Sequence, residues 1–180
     1  MPQLLVLING LPGSGKTTLG PQLARVLNGR CLSKDTVKEA LAGVGDSDVP
    51  ELGGIAMDAL WTTASTIPGT VLIDSWWFRP RDLEFARAGI EKTAADRAVE
   101  VWCAVAPELA RERYRRRCRA ALHRDERRLT DDWLAWAQRA EPLGLTPTVL
   151  VDTAGPIDCM TLAGRVEKAA RPYPFPRSLA

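Results

Sequence analysis

The residues with the most legible chemistry are Gly10-Leu11-Pro12-Gly13-Ser14-Gly15-Lys16-Thr17. They fit the phosphate-binding pattern G-x-x-x-x-G-K-[ST] and stand between an apolar run and a helical pattern, the context that gives the motif meaning. Glycines let successive backbone N–H groups wrap a triphosphate where side chains would obstruct them. The helix that follows offers its N-terminal N–H groups and positive dipole end to the same anion. In such a loop Lys16 reaches the β- and γ-phosphates and the Thr17 hydroxyl ligates Mg²⁺. Gly10, Pro12, Gly13, Ser14, Gly15, Lys16, Thr17 and Thr18 are therefore the candidate ATP-binding residues.

Two acids join them. Asp74 closes the apolar run Val71-Leu72-Ile73, where a carboxylate can hold Mg²⁺ or orient an acceptor; the plainer alternative is a helix cap or a surface charge. Asp35, in Ser33-Lys34-Asp35, is well placed as a helix N-cap. At a neighbouring strand end it can also accept a hydroxyl proton or position that hydroxyl, and phosphoryl transfer needs little beyond positioning and charge neutralisation. Trp76-Trp77-Phe78, just past Asp74, either walls an acceptor pocket or belongs to the core. Between Arg111 and Arg128 stand nine arginines against Glu112, Asp125 and Glu126. Arg113 and Arg117 share one helix face by their spacing. The cluster reads as a lid over a transferring phosphoryl group, as a site for a phosphate-rich polymer, or as a solvated helix. Asp152-Thr153-Ala154-Gly155 has the D-x-x-G of regulatory GTPases, but no N-K-x-D occurs in the chain. Thr153 suits a loop against the adenine instead. His123 reads as a surface residue.

The elements that must position these groups follow from the hydrophobic pattern. Strands are predicted at residues 3–9, 30–33, 70–74, 99–105 and 148–151. Helices are predicted from about Lys16 to Leu27, Asp35 to Leu41, Ile55 to Ile67, Pro80 to about Ala95, Pro107 to about Leu122, from Thr130 or Asp131 through Ala137, and from Ile157 to Ala170. Gly20-Pro21 predicts a kink or an irregular second turn in the first helix. Residues 42–54 read as a long loop, and the proline-rich tail from Arg171 as a non-helical surface segment. Strands alternating with helices make an α/β domain with a five-stranded parallel sheet, whose ligands bind beyond the carboxyl ends of the strands. Every candidate named above should therefore lie at a strand's C-terminal end.

Bulk properties agree. The chain has 180 residues, 46% of them hydrophobic, 26% charged, and a net charge of +2, which fits one domain and is too mild to imply nucleic acid. Cys31, Cys103, Cys118 and Cys159 are far apart, with no zinc spacing, and read as buried thiols. No membrane span or signal peptide is legible, and a cytoplasmic location is the expectation.

Most of the chain resembles the P-loop kinases of the family containing phage polynucleotide kinase, zeta toxins and chloramphenicol phosphotransferase. The likeness rests on residues 10–17, on Ser33-Lys34-Asp35-Thr36-Val37-Lys38-Glu39, on Val71-Leu72-Ile73-Asp74 and on Arg113 with Arg117. It implies a three-layer α/β/α fold with strand order 2-3-1-4-5, spanning residues 1–180, with a lid at about 107–128 and a tail at 171–180. It also implies ATP and Mg²⁺ as cofactors, Asp35 as general base, Thr17 and Asp74 on the metal, and Lys16, Arg117 and Arg113 as catalytic. Asp35, Lys38, Asp74, Trp76 and Trp77 become the candidate acceptor-binding residues. Polynucleotide kinase has arginine at the position of Lys38 and Asp-Thr-Asn where this chain has Asp74-Ser75-Trp76. Both differences lie on the acceptor side, so that substrate is not carried over; a size close to that of chloramphenicol phosphotransferase and Asp152-Thr153 after the last strand make a small hydroxyl compound, an antibiotic or nucleoside, the expected acceptor, and a nucleic-acid 5′ end the alternative. A third reading, a nucleotide switch or ATPase without kinase activity, is separated by its behaviour when Asp35 is replaced.

Overall fold

Eight residues, Pro2–Asn9, form strand β1, whose side chains divide cleanly between two cores. Leu4, Val6 and Ile8 enter one cluster and Leu5 and Leu7 the other, as the two-residue period of a strand buried on both faces requires. A computed structural model of the protein describes residues 1–43, 51–116 and 128–172. Beyond β1 these comprise α1 (Lys16–Val26), β2 (Arg30–Ser33), α2 (Lys34–Ala42), α3 (Leu52–Thr66), β3 (Gly69–Asp74), α4 (Arg79–Thr93), β4 (Arg97–Ala104), α5 (Pro107–Arg115), α6 (Trp133–Arg139), β5 (Thr148–Asp152), α7 (Cys159–Ala169) and β6 (Arg171–Pro172).

The sheet order is β2-β3-β1-β4-β5, with β6 paired to β4. The five longer strands run parallel, as expected, while β6 is antiparallel. Leu19 and Leu23 of α1 and Leu162 and Val166 of α7 cover one face. Met57, Leu60 and Trp61 of α3 and Ala86 and Ile90 of α4 cover the other. A third cluster, Leu11, Phe78, Ala110, Tyr114, Trp133 and Trp136, joins the glycine loop to α5 and α6.

Several boundaries differ from expectation. Helix α1 runs unbroken through Gly20-Pro21, because Pro21 is exposed and the carbonyl it leaves without a donor belongs to Thr17, also exposed, where water can serve it. Gly20 is fixed by close approach: a Cβ there would lie 2.8 Å from Cys31 Sγ. Helix α3 starts at Leu52, within the expected loop, since burial of Leu52 outweighs the poor helix propensity of Gly53 and Gly54. Residues 44–50 of that loop lie outside the described residues, as do 117–127, with Arg117, Cys118 and His123, and the tail from 173. The helix expected from Thr130 begins instead with a π-helical turn, Arg128–Asp132. Helix α7 starts at Cys159 because Asp158 caps it, accepting from the N–H groups of Met160 and Thr161. Among the described residues no helix is long and apolar enough to cross a membrane.

Candidate active site

Parallel register brings the candidate residues to one edge of the sheet. Ile8 lies opposite Asp74 and Ser33 opposite Asp74, so the ends of β1, β2 and β3 deliver the glycine loop, Asp35 and Asp74 side by side. The loop turns on positive φ at Gly10 (143°), Gly13 (84°) and Gly15 (91°). Gly13 leaves no room for a side chain, since a Cβ there would stand 2.1 Å from the Ala110 carbonyl oxygen of α5. Gly15 is the N-cap of α1, and its carbonyl accepts from the Thr18 (3.1 Å) and Leu19 (3.0 Å) N–H groups, so the positive end of the helix opens directly from the loop. The Lys16 ammonium donates to the carbonyls of Gly10 (2.8 Å) and Leu11 (2.9 Å) and is 7% exposed. The Gly10 N–H is taken by Asn9 Oδ1 and the Ser14 N–H by the Leu11 carbonyl, so these two residues shape the cradle rather than line it with donors. Pro12 is buried in it, and the hydroxyl-bearing Thr17 and Thr18 are exposed.

Asp74 is 4% exposed. Its carboxylate and the Lys16 ammonium both act on Cys103: burial pushes that thiol up to about 12, with Lys16 lowering it and Asp74 raising it. Burial and then Asp74 likewise push Cys31 up to about 12. Both thiols stay protonated at neutral pH. Among the described residues no group of three His, Cys, Asp or Glu side chains could hold a metal by itself. An exposed Thr17 hydroxyl at the start of α1 and one carboxylate at the end of β3 fit Mg²⁺, which takes one or two protein oxygens and leaves the rest to phosphates and water.

Cavities lie on both sides of this centre. One of about 410 Å³ is lined by Gly13, Gly15, Thr18, Leu19, Gln22, Arg113, Thr153, Gly155, Pro156 and Ile157. Arg113 donates to the carbonyls of Thr153 (2.8 Å) and Ala154 (2.9 Å), fastening α5 to the loop after β5. The Thr153 hydroxyl in turn donates to the Ala104 carbonyl. Thr153 lines the loop-side cavity, and Arg113 lines that cavity too, not the one that holds Asp35. Arg115 and Arg116 pair with Glu112 on the outer face of α5, the solvated-helix arrangement for that part of the cluster.

On the other side a cavity of about 80 Å³ is lined by Lys34, Asp35, Lys38, Gly53, Ser75, Trp76, Arg81 and Trp136. It shares Lys34, Gly53, Trp76 and Arg81 with a wider cleft of about 380 Å³ that reaches Trp77 and Phe85. The two tryptophans have different fates. Trp76 is half-buried and packs its ring among Phe78, Trp102 and Trp136 at centroid distances of 5.9–6.4 Å. Trp77 is 2% exposed and stacks on Trp61 at 5.9 Å: it is core first, offering only an edge to the cleft.

Sequence reasoning missed the polar support. Asn9, fully buried, accepts from the N–H groups of Gly10 (2.8 Å) and Trp77 (3.1 Å) and donates to the Trp77 carbonyl and to Glu100 Oε1. Glu100, also fully buried, accepts from the Leu143 and Gly144 N–H groups. Burial raises its pKa, against the pull of those hydrogen bonds. One asparagine therefore ties the glycine loop to the backbone of Trp77. The signal was present, a polar residue and an acid inside apolar strand runs. Asn9→Leu would leave the Gly10 and Trp77 N–H groups without the acceptor they now have, costing about 2 kcal/mol or more. Chemical denaturation measures it, and a loss below about 1 kcal/mol would show that the network carries no load.

Strand order and glycine loop define a P-loop nucleotide-binding domain. Residues 5–143 match the sequence profile of an AAA domain family, and the chain belongs to that family. No curated protein matches the sequence. Among solved structures, a candidate kinase from Chloroflexus aurantiacus j-10-fl superposes with a TM-score of 0.69 at 24% identity, over 92% of this chain and 97% of that one. Kti12 from Chaetomium thermophilum, in complex with ADP-AlF3, gives 0.62 at 20% identity over 92% and 98%. Shikimate kinase from Bacteroides thetaiotaomicron gives 0.57 at 20% over 92% and 97%. Identities this low carry the shared fold alone.

Proposed function

We propose that the protein is an ATP- and Mg²⁺-dependent phosphotransferase that moves the γ-phosphoryl group to a hydroxyl of a small molecule. The observation that carries this reading is the pair of cavities, one lined by Gly13, Gly15 and Thr153, the other by Asp35. A switch or simple ATPase needs no second cavity ending on a carboxylate. The reading takes residues 1–180 as one P-loop kinase domain, with α5 opening a lid over about 107–128.

In this mechanism Lys16 and the first-turn amides of α1 hold the β- and γ-phosphates, and Arg113 with Thr153 closes the base side. Thr17 and Asp74 hold Mg²⁺, which when bound neutralises charge on the phosphate oxygens. Asp35 accepts the acceptor's hydroxyl proton as that oxygen's electron pair bonds to phosphorus. The bond from phosphorus to the β,γ-bridging oxygen breaks, and ADP leaves with the electron pair. Arg117 remains the proposed lid cation.

Within the P-loop kinases, the resemblance to the polynucleotide kinase, zeta toxin and chloramphenicol phosphotransferase family supports Asp35 as base. The tight aromatic cavity supports a small acceptor, and so does the likeness to shikimate kinase. Mass spectrometry of a hydroxyl-compound panel incubated with enzyme, ATP and Mg²⁺ should show a gain of about 80 Da, roughly one phosphoryl group. ATP hydrolysis with no phosphorylated product across the panel would overturn the reading. Single-stranded nucleic acid should bind weakly and with little salt dependence; tight binding that falls steeply with salt would transfer the assignment to a polynucleotide acceptor.

A further inference from the structure

The cavity beside the glycine loop follows α1 away from the phosphate cradle. Gly13 and Gly15 line it at the loop, and Thr18 and Gln22 line it farther along the helix. Helical residues four apart share a face and lean toward the helix N-terminus, so these two side chains stand in file along one wall. Gln22 lies about two turns, or roughly 10 Å, beyond the Gly15 N-cap at the usual helical rise. With phosphates held at the loop, a group at that remove faces the base and not the triphosphate.

Most of the other polar side chains on this cavity are committed within the protein. Both terminal nitrogens of Arg113 donate to the Thr153 and Ala154 carbonyls. The Thr153 hydroxyl donates to the Ala104 carbonyl. Leu19, Pro156 and Ile157 bring apolar side chains. Gln22 differs from all of these. Its side chain is exposed, and its one hydrogen bond among the described residues comes from the Cys159 thiol, which donates to Oε1 at 3.8 Å. A thiol is a weak donor, and the amide keeps a second lone pair on Oε1 and both hydrogens on Nε2. An accessible acceptor and donor therefore sit side by side at the base end of the cavity.

We propose that Gln22 reads the nucleotide base and makes this cavity selective for adenine over guanine. Oε1 accepts from the adenine N6 amino group and Nε2 donates to N7, the paired contact by which a glutamine matches that edge of adenine. Guanine presents acceptors at both O6 and N7, so its O6 would stand against Oε1 with no hydrogen between them. The inference rests on the nucleotide reading of this cavity, and it adds the residue that selects the nucleotide.

The test is calorimetric titration of the full chain, in Mg²⁺, with ADP, GDP and 7-deaza-ADP, which lacks the N7 acceptor. ADP should bind at least about tenfold more tightly than GDP, with 7-deaza-ADP between them. Gln22→Leu should weaken ADP and bring all the nucleotides within about twofold of one another. Gln22→Arg should bind GDP more tightly than ADP, because a guanidinium donates to O6 and N7 together. Leucine and arginine are good helix formers at an exposed position, so the denaturation midpoint should not fall. A glutamine with a merely structural role would lower the midpoint and leave the nucleotide preference alone. GDP binding as tightly as ADP in the unaltered protein, an ADP preference that survives either substitution, or a 7-deaza-ADP penalty equal in the unaltered protein and Gln22→Leu overturns the proposal. Binding of none of the nucleotides at millimolar concentration overturns it together with the nucleotide reading. Failure of the phosphotransferase reading alone looks different. Base preference would then respond to Gln22 as expected, yet no hydroxyl compound would gain a phosphoryl group from ATP.

Discussion

Gly13→Ala should abolish measurable nucleotide binding and destabilise the fold by about 2–4 kcal/mol, the sum of a left-handed backbone and an overpacked contact. Residue 13 sits at φ 84°, and a Cβ there would stand 2.1 Å from the Ala110 oxygen and 3.0 Å from the Tyr114 nitrogen. Both neighbours are backbone of α5, so no rotamer change relieves the overlap, and the loop or the helix must move. Either movement disturbs the site. A shifted loop loses its curvature around the phosphates, and a shifted α5 draws Arg113 away from the Thr153 and Ala154 carbonyls.

Gly15→Ala is the control, because Gly15 has a similar φ of 91° but its nearest neighbour, Thr153 Cβ, would be 3.7 Å away. It should cost only the backbone term, about 1–2 kcal/mol, and retain weakened nucleotide binding. Denaturation midpoints and ADP titrations on both variants measure the difference. If the two substitutions proved equally mild, the contact between loop and α5 would not be tight enough to couple nucleotide binding to the arginine helix.

This contrast also marks how far the sequence could be read. The motif requires glycine at residue 15 and leaves residue 13 open, because the reason residue 13 must be glycine lies on α5, nearly a hundred residues away. The same limit recurs across the site. The strand-end positions of Asp35 and Asp74 and the loop were legible because each is written locally, as an apolar run ending in a chemically distinctive residue, whereas the strand order was implied only by the family resemblance. Trp76 and Trp77 could not be separated by pattern. Adjacent residues leaving a strand point in different directions, and only the position of Trp61 decides which of them stacks into the core. Arg113 read as a phosphoryl-side group because its spacing matched a lid. Its partners are backbone carbonyls of the loop after β5, which no side-chain pattern announces. The early start of α3 went unread for a related cause. Gly53 and Gly54 are poor helix formers, and the burial of Leu52 that overrides them is a tertiary fact.

Asp35→Asn should lower turnover by a factor of about 10²–10⁴, the usual worth of a positioned general base, with ATP affinity unchanged. The separation follows from the two cavities. Asp35 lines the acceptor side together with Ser75, Trp76 and Arg81, whereas the cavity at the glycine loop does not include it. Loss of the carboxylate therefore strikes transfer without touching the phosphate cradle. Asparagine keeps a side-chain oxygen that can still accept a hydrogen bond from the reacting hydroxyl, but it cannot take the proton. A parallel Asp35→Ala variant consequently divides base from positioner. If proton removal is what matters, both substitutions should fall to the same low rate. If orientation of the hydroxyl suffices, as a loose phosphoryl-transfer transition state permits, the asparagine variant should stay well above the alanine one. Single-turnover rates with saturating acceptor, paired with ADP and ATP titrations, make the comparison. Near-normal turnover in both variants would leave Asp35 as no more than the first-turn acid of α2 and would move the search for the proton acceptor to Asp74, the other carboxylate at this edge of the sheet.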